Sequence, residues 1–206
     1  MFDAVRLRAR LLHRRRVTPA SDLLHLGAGR RRVPGWLNVD VWSSDYDVDV
    51  ACGRLPWRDA SFRAIVSQHV IEHLELEEEL IPLLRELRRV IRPAGELWLS
   101  CPDLEKVCRG YVEDKSAALH DDRRRRMPDQ GMRDGMPSQH FVNWLFHQGG
   151  EHRNLYDLEL LSWALGEAGF ASRERVDEKA LLSRFPEFPI RNDDFQSLYV
   201  LARPDP

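Results

Sequence analysis

Short apolar runs alternate with helical patterns along this chain, an alternation that predicts βαβ units and a mostly parallel sheet. Asp22-Leu-Leu-His-Leu26 reads as a first strand, stopped by Gly27. Trp36-Leu-Asn-Val-Asp-Val41 reads as the second, Asp47-Val-Asp-Val-Ala51 as a short third and Ala64-Ile-Val-Ser67 as the fourth. From Glu72 to Val90, leucines 80, 83, 84 and 87 recur at helical spacing, with acidic residues early and arginines late. That charge order complements the helix dipole. Pro93 and Gly95 break the helix, and Glu96-Leu-Trp-Leu-Ser100 is the fifth strand. A helix over 157–168, closed by Gly169, and strands near 171–176 and 197–202 complete the pattern.

Two irregularities refine this picture. Only six residues separate Gly29 from Trp36, whereas a full crossover takes at least about 10–12. The first crossover helix is therefore truncated or absent. The stretch 102–150 is too long for a simple connection and reads as an inserted substrate-binding segment. The expected fold class is α/β, a Rossmann-like, mostly parallel seven-stranded sheet flanked by helices, with a truncated first crossover helix and an insert after the fifth strand. The whole chain, 1–206, is read as one domain, preceded within it by a basic segment over 1–20.

Composition narrows the function classes. A net charge of −2 gives no global attraction to nucleic acid or to an anionic membrane. Basic charge is local: six arginines between Arg6 and Arg16, three at Arg30–Arg32 and four at Arg123–Arg126. Solvated faces and local anion contacts account for these clusters better than a nucleic-acid interface does. No apolar run approaches the roughly 20 residues needed to span a bilayer, so integral membrane association is not expected. The segment from Val5 to Arg16 suits a short basic helix, docked on its own domain in preference to a membrane surface. Cys52, Cys101 and Cys108 are an odd number without metal-ligand spacing, which reads as a cytoplasmic chain with reduced thiols. A homodimer is left open.

The sharpest chemical signal is Leu24-His-Leu-Gly-Ala-Gly29 followed by Asn38-Val-Asp40. Glycines just past a buried strand let the backbone approach a ligand, and an acidic residue ending the next strand can accept both hydroxyls of a ribose. The missing crossover helix removes the N-terminus on which a pyrophosphate would rest, so NAD and FAD fit poorly. S-adenosylmethionine (SAM) carries no phosphate, and Arg30, Arg31 or Arg32 could meet its carboxylate.

Leu55-Pro-Trp-Arg-Asp-Ala-Ser-Phe62 and Ser67-Gln-His-Val-Ile-Glu-His-Leu74 then make a family resemblance specific. Gly-x-Gly, the acidic strand end, Leu-Pro-aromatic, Ser-Phe and Ser-x-His-x-x-Glu-His-Leu resemble the class I SAM-dependent methyltransferases, above all the small type 11 group. The resemblance covers roughly 22–102, and weakly 151–170 through Glu-His-Arg-Asn-Leu-Tyr-Asp. It implies that Gly27, Ala28 and Gly29 pack against the methionine part of SAM and that Asp40 holds the ribose. It further implies Val41, Ala51, Cys52 and Leu55 around the adenine, and Gln68 and His69 near the sulfonium. Four positions depart from the family pattern. His25 stands where an acidic or amide residue usually meets the SAM amino group, and Arg31 replaces a common third glycine. Ala51 replaces an acidic residue near the adenine amine, and Arg63 replaces an aspartate.

Methyl transfer from SAM is an in-line displacement governed by positioning, with a base needed for a hydroxyl acceptor. Histidine suits that role, and His69, His147 and His152 are the catalytic candidates. His73 reads as structural, and Phe141, Trp144 and Phe146 as one apolar helix face. No metal site is predicted. Asp45, Asp47 and Asp49 alternate as divalent-ion ligands sometimes do, but solvated carboxylates explain them equally well. An insert rich in histidine, aromatic and arginine residues suits a small-molecule or saccharide acceptor, and by analogy a sugar hydroxyl in polysaccharide biosynthesis. The alternatives are methylation of another small molecule or of RNA, and a non-catalytic SAM-binding protein.

Overall fold

The computed structural model describes residues 7, 10, 11, 16–128 and 135–205. The rest of the N-terminal basic segment, and part of the expected insert, lie outside the described residues. Seven strands form one sheet in the order β3-β2-β1-β4-β5-β7-β6. They are β1 (Leu23–Leu26), β2 (Leu37–Asp40), β3 (Tyr46–Asp47), β4 (Phe62–Gln68), β5 (Ile91–Pro102), β6 (Phe170–Val176) and β7 (Ser197–Pro204). Strands β1 to β5 pair in parallel, and β7 runs antiparallel to both β5 and β6. The strand order reverses between β1 and β4, the switch point at whose C-terminal ends ligands bind in open α/β sheets.

Both faces of the sheet are covered. Leu24 and Leu26 of β1 face a large core shared with α1 (Ile81–Val90) and α5 (Leu158–Glu167). On the opposite face Trp36, Phe185, Phe188 and Tyr199 form a second core beside α6 (Glu178–Arg184). After β5 come α2 (Leu104–Asp114), α3 (Ala117–Arg126) and α4 (Ser138–His147). These three carry their own small core of Val107, Leu119, Phe141 and Leu145, so Phe141 packs inward as its spacing predicts.

No helix stands between β1 and β2. Asn38 braces the loop in its place: its amide oxygen accepts from Val33 N at 2.7 Å, and its amide nitrogen donates to the carbonyls of Val33 and Trp36, both at 3.0 Å. Asp45 in turn accepts from Asn38 N at 2.9 Å.

Several boundaries differ from the sequence reading. The third strand ends at Asp47, because the Asp49 side chain accepts from Ala51 N and turns the chain into a 3-10 segment over Val50–Cys52. The expected helix from Glu72 begins as a 3-10 turn over Ile71–His73 and a π turn over Leu76–Leu80. Its α-helical part starts only at Ile81, where Pro82 sits in the first turn and needs no N–H partner. β5 starts at Ile91, earlier than expected, and the register slips from Phe62↔Ile91 to Ala64↔Glu96, so Pro93 and Gly95 sit in a bulge. Helix α6 was not anticipated. Arg10 Nε lies 2.7 Å from Asp49 Oδ2, so at this residue the basic segment rests on its own chain.

Candidate functional site

Two cavities open at the C-terminal ends of β1, β2 and β4. The first, about 280 Å³, is bordered by Gly27 and Asp40, by the apolar residues Val41, Val48, Val50 and Leu74, and by His69 and His73. Gly27 ends β1 at φ +72°, and its N–H donates to Val39 O at 2.9 Å, tying the glycine loop to β2. A Cβ on Gly27 would stand 2.1 Å from Val70 Cγ2, so no larger residue fits this close approach. Backbone N–H groups fix the Asp40 carboxylate: Gly29 N donates to Oδ2 at 2.8 Å and Val41 N to Oδ1 at 2.7 Å. Each carboxylate oxygen retains acceptor capacity for a ligand hydroxyl. A carboxylate beside apolar walls and a bare glycine backbone suits a nucleoside, and no α-helix follows β1 to present its N-terminus to a phosphate.

The second cavity, about 310 Å³, has a different character. Arg31 from the glycine loop, Arg123 and Arg126 from α3, and Arg191 from the segment before β7 border it, together with Trp144, Gln148 and His152. Against these stand two carboxylates, Glu72 and Asp193, both almost fully buried. The Arg123 guanidinium stacks 4.4 Å from the Trp144 ring centre. Burial, reinforced by the neighbouring Arg126, pulls its pKa down to about 10, leaving it charged at neutral pH.

His69 and His73 border both cavities. His69 follows β4 at φ +56°, a left-handed conformation that a non-glycine residue holds only when its surroundings fix it. Its N–H donates to Ser100 O at 2.8 Å. Nε2 lies 2.9 Å from Asp193 Oδ2 and Nδ1 lies 3.2 Å from Glu72 Oε1. Burial disfavours the imidazolium, but the two carboxylates outweigh it and raise the His69 pKa. Asp193 also accepts from Tyr199 OH at 2.6 Å and Arg191 Nε at 2.9 Å. These contacts overcome its burial and hold the carboxyl far below the usual carboxylate range.

The structure brings some of the candidate residues together and leaves others apart. Gly27, Asp40, Val41 and His69 meet in the first cavity, and His152 reaches the second. Ala28 and Gly29 lie in the loop behind Gly27. Gln68, buried, ends β4. Ala51 and Leu55 are buried in the core beneath the first cavity, while the Cys52 thiol turns to Arg54 O. His25 points to the opposite face of the sheet, where Nδ1 lies 3.2 Å from Asn38 Oδ1 and the ring meets Phe188 edge-on at 4.9 Å. Burial lowers its pKa to about 4, which keeps it neutral. His147 is exposed at the end of α4 and borders neither cavity. Asp45, Asp47 and Asp49 do not converge: Asp45 pairs with Arg32 and Asn38, Asp47 with Ser44, and Asp49 with Arg10.

Glu72, Arg191 and Asp193 are the members sequence reasoning passed over. The dense charge of Arg191-Asn-Asp-Asp194, shortly before an apolar strand, was the signal for the latter two, and Glu72 stood within Ser67-Gln-His-Val-Ile-Glu-His-Leu74.

Comparison with known proteins agrees with this geometry. Residues 26–99, from β1 into β5, match the family model described as a methyltransferase domain. Over 57 residues the chain is 37% identical to the Mus musculus protein named "Probable tRNA methyltransferase 9B", a stretch covering 28% of this chain and 13% of that protein. The citrinin polyketide synthase CMeT domain superposes with a TM-score of 0.52 at 14% identity, covering 89% of this chain and 46% of that one. A Thermotoga maritima SAM-dependent methyltransferase, described as a possible histamine N-methyltransferase, superposes with a TM-score of 0.50 at 17% identity, covering 98% and 95%. This chain thus spans a small part of its curated relative and about half of the polyketide synthase chain. Among the described residues no helix is long and apolar enough to cross a membrane.

Proposed function

We propose that this chain is a SAM-dependent methyltransferase, a reading supported by the family match over 26–99 and by the fold, and that it methylates a hydroxyl of an anionic saccharide. The carrying observation is the shared wall: His69 and His73 border both the nucleoside-shaped cavity and the arginine-lined one. SAM, when bound, supplies a methyl group on a sulfonium, and its product is S-adenosylhomocysteine. Everything else falls to the chain.

Asp40 accepts the ribose hydroxyls, while Val41, Val48, Val50 and Leu74 shield the base. His69, held beside Asp193 and Glu72, is a rigid side wall common to both cavities. It orients the two ligands more than it exchanges protons, because both ring nitrogens face carboxylates. Arg31, Arg123 and Arg191 supply the charge for a carboxylate or phosphate on the acceptor. Trp144 offers an aromatic face of the kind that sugars use. With the acceptor oxygen held about 3–3.5 Å from the methyl carbon, positioning accounts for much of the rate; as the C–O bond forms and the C–S bond breaks, the hydroxyl proton passes to solvent water in the acceptor cavity.

The test is transfer of labelled methyl from SAM to a panel of uronic acids and sugar phosphates, neutral sugars, amines and transfer RNA. Label on an acidic sugar oxygen, lost in Arg31→Ala, supports the reading. Label on an amine or on RNA, with the sugars unmodified, overturns it.

A further inference from the structure

Glu72, His73 and His152 each offer one ligand atom, and these atoms lie within 4.8 Å of one another. All three side chains border the arginine-lined cavity. The hydrogen bonding around them is one-sided. His73 Nδ1 donates to Glu151 O at 3.1 Å, and His152 Nδ1 donates to Leu145 O at 2.7 Å. A carbonyl can only accept, so each Nδ1 carries a proton, and in the neutral imidazole Nε2 then presents a lone pair. Glu72 is 1% exposed, and neither of its carboxylate oxygens has a hydrogen-bond donor. Among the described residues its ion-pair partner is His69, whose Nδ1 lies 3.2 Å from Oε1, and Oε2 has no partner among them.

A buried carboxylate normally gathers donors, because a buried charge without partners is costly. Here a carboxylate oxygen of Glu72 lies within 4.8 Å of a ring nitrogen of each of two imidazoles. Acceptors facing acceptors call for a cation between them. A backbone carbonyl fixing the outer nitrogen of each ring is also what orients a metal-binding histidine.

We propose that Glu72, His73 and His152 form a site for a borderline transition-metal dication of the Zn²⁺ class. Two imidazoles and one carboxylate match that donor preference. Three protein ligands leave a fourth position open, as in sites that bind substrate, and it lies on the side of the acceptor cavity. An oxygen of the acceptor takes that position, with the arginines holding the rest of its charge. His152 is then a ligand instead of a base. The site does not depend on the identity of the acceptor or of the nucleoside.

The experiment uses tag-free protein stripped with a chelator and titrated with Co²⁺, read by visible absorption, and then with Zn²⁺ as competitor. One equivalent of Co²⁺ is expected, with the intense bands of a low-coordinate site that Zn²⁺ bleaches. His73→Gln, at a partly exposed position, and His152→Gln are each expected to weaken uptake by more than about 10-fold, the scale on which even outer partners of metal ligands act. Asp47→Asn is expected to leave uptake unchanged. The thermal midpoint reports whether each variant is folded, and S-adenosylhomocysteine binding by the wild type separates failure of this site from failure of the methyltransferase reading. Wild-type protein that takes up no Co²⁺ at micromolar concentration overturns the proposal, as does uptake that survives both histidine substitutions.

Discussion

The carboxylate of Asp193 lies 2.9 Å from Nε2 of His69, joining two residues 124 positions apart across the mouth of the sheet. Asp193 is 2% exposed and also holds Arg191 and Tyr199, so it neutralises charge that would otherwise be buried alone. Replacing it with alanine strands the His69 imidazolium. Breaking a buried pair in this way costs about 3–5 kcal/mol. Urea unfolding of Asp193→Ala should show a loss of that size, and a loss under about 1 kcal/mol would mean that water already screens the pair.

Among the described residues no charged side chain pairs with Asp40, and its oxygens are set by backbone N–H groups. Asp40→Ala should therefore leave the thermal midpoint close to wild type. Calorimetric titration with S-adenosylhomocysteine should then show affinity weakened by about 2 kcal/mol, the loss of a charged hydrogen-bond acceptor. Unchanged affinity would move the ribose elsewhere.

Gly27 combines a left-handed backbone with Val70 pressed against its α-carbon. Gly27→Ala should cost about 2–4 kcal/mol, from the left-handed conformation and from overpacking together. In a double-mutant cycle with Val70→Ala the steric share should be recovered, giving a favourable coupling of about 1 kcal/mol or more. Strict additivity in chemical denaturation would show that Val70 is not the obstacle.

His25 ties acid stability to the core. Its pKa is 6.5 unfolded and about 4 folded, so the unfolded chain binds the proton first. The stabilisation is complete above pH 6.5 and fades as pH falls toward 4. Between pH 7 and pH 5 the loss amounts to about 2 kcal/mol. Denaturation curves of wild type and His25→Leu should diverge by that amount across the interval. Parallel pH profiles would mean that the ring reaches water.

The parts of the site legible in the sequence are those fixed by local backbone. Gly27, Asp40 and His69 follow directly from strand ends, and a strand end is read from hydrophobic pattern and glycine placement. The absent crossover helix followed from counting six residues. What stayed hidden depends on chain meeting chain. Asp193 reaches His69 only because β7 inserts between β5 and β6, and no spacing rule reports that. His25 lies in the strand that leads to Gly27, yet strand alternation turns it toward Phe188 and away from the cavities. The spacing of Glu72, His73 and His152 carries no metal signature, because the third is brought to the first two by the contact of Arg153 N with Glu72 O at 2.8 Å.

Arg31 follows Gly29 by two residues, and its N–H is bonded to Ala28 O. A single short turn therefore carries the glycines at one cavity and a cation at the other. Such a protein cannot exchange its acceptor preference as a cassette while leaving its affinity for the nucleoside untouched. A lineage diversifying toward new acceptors would find its tolerated changes in α3 and α4, with the turn inherited whole.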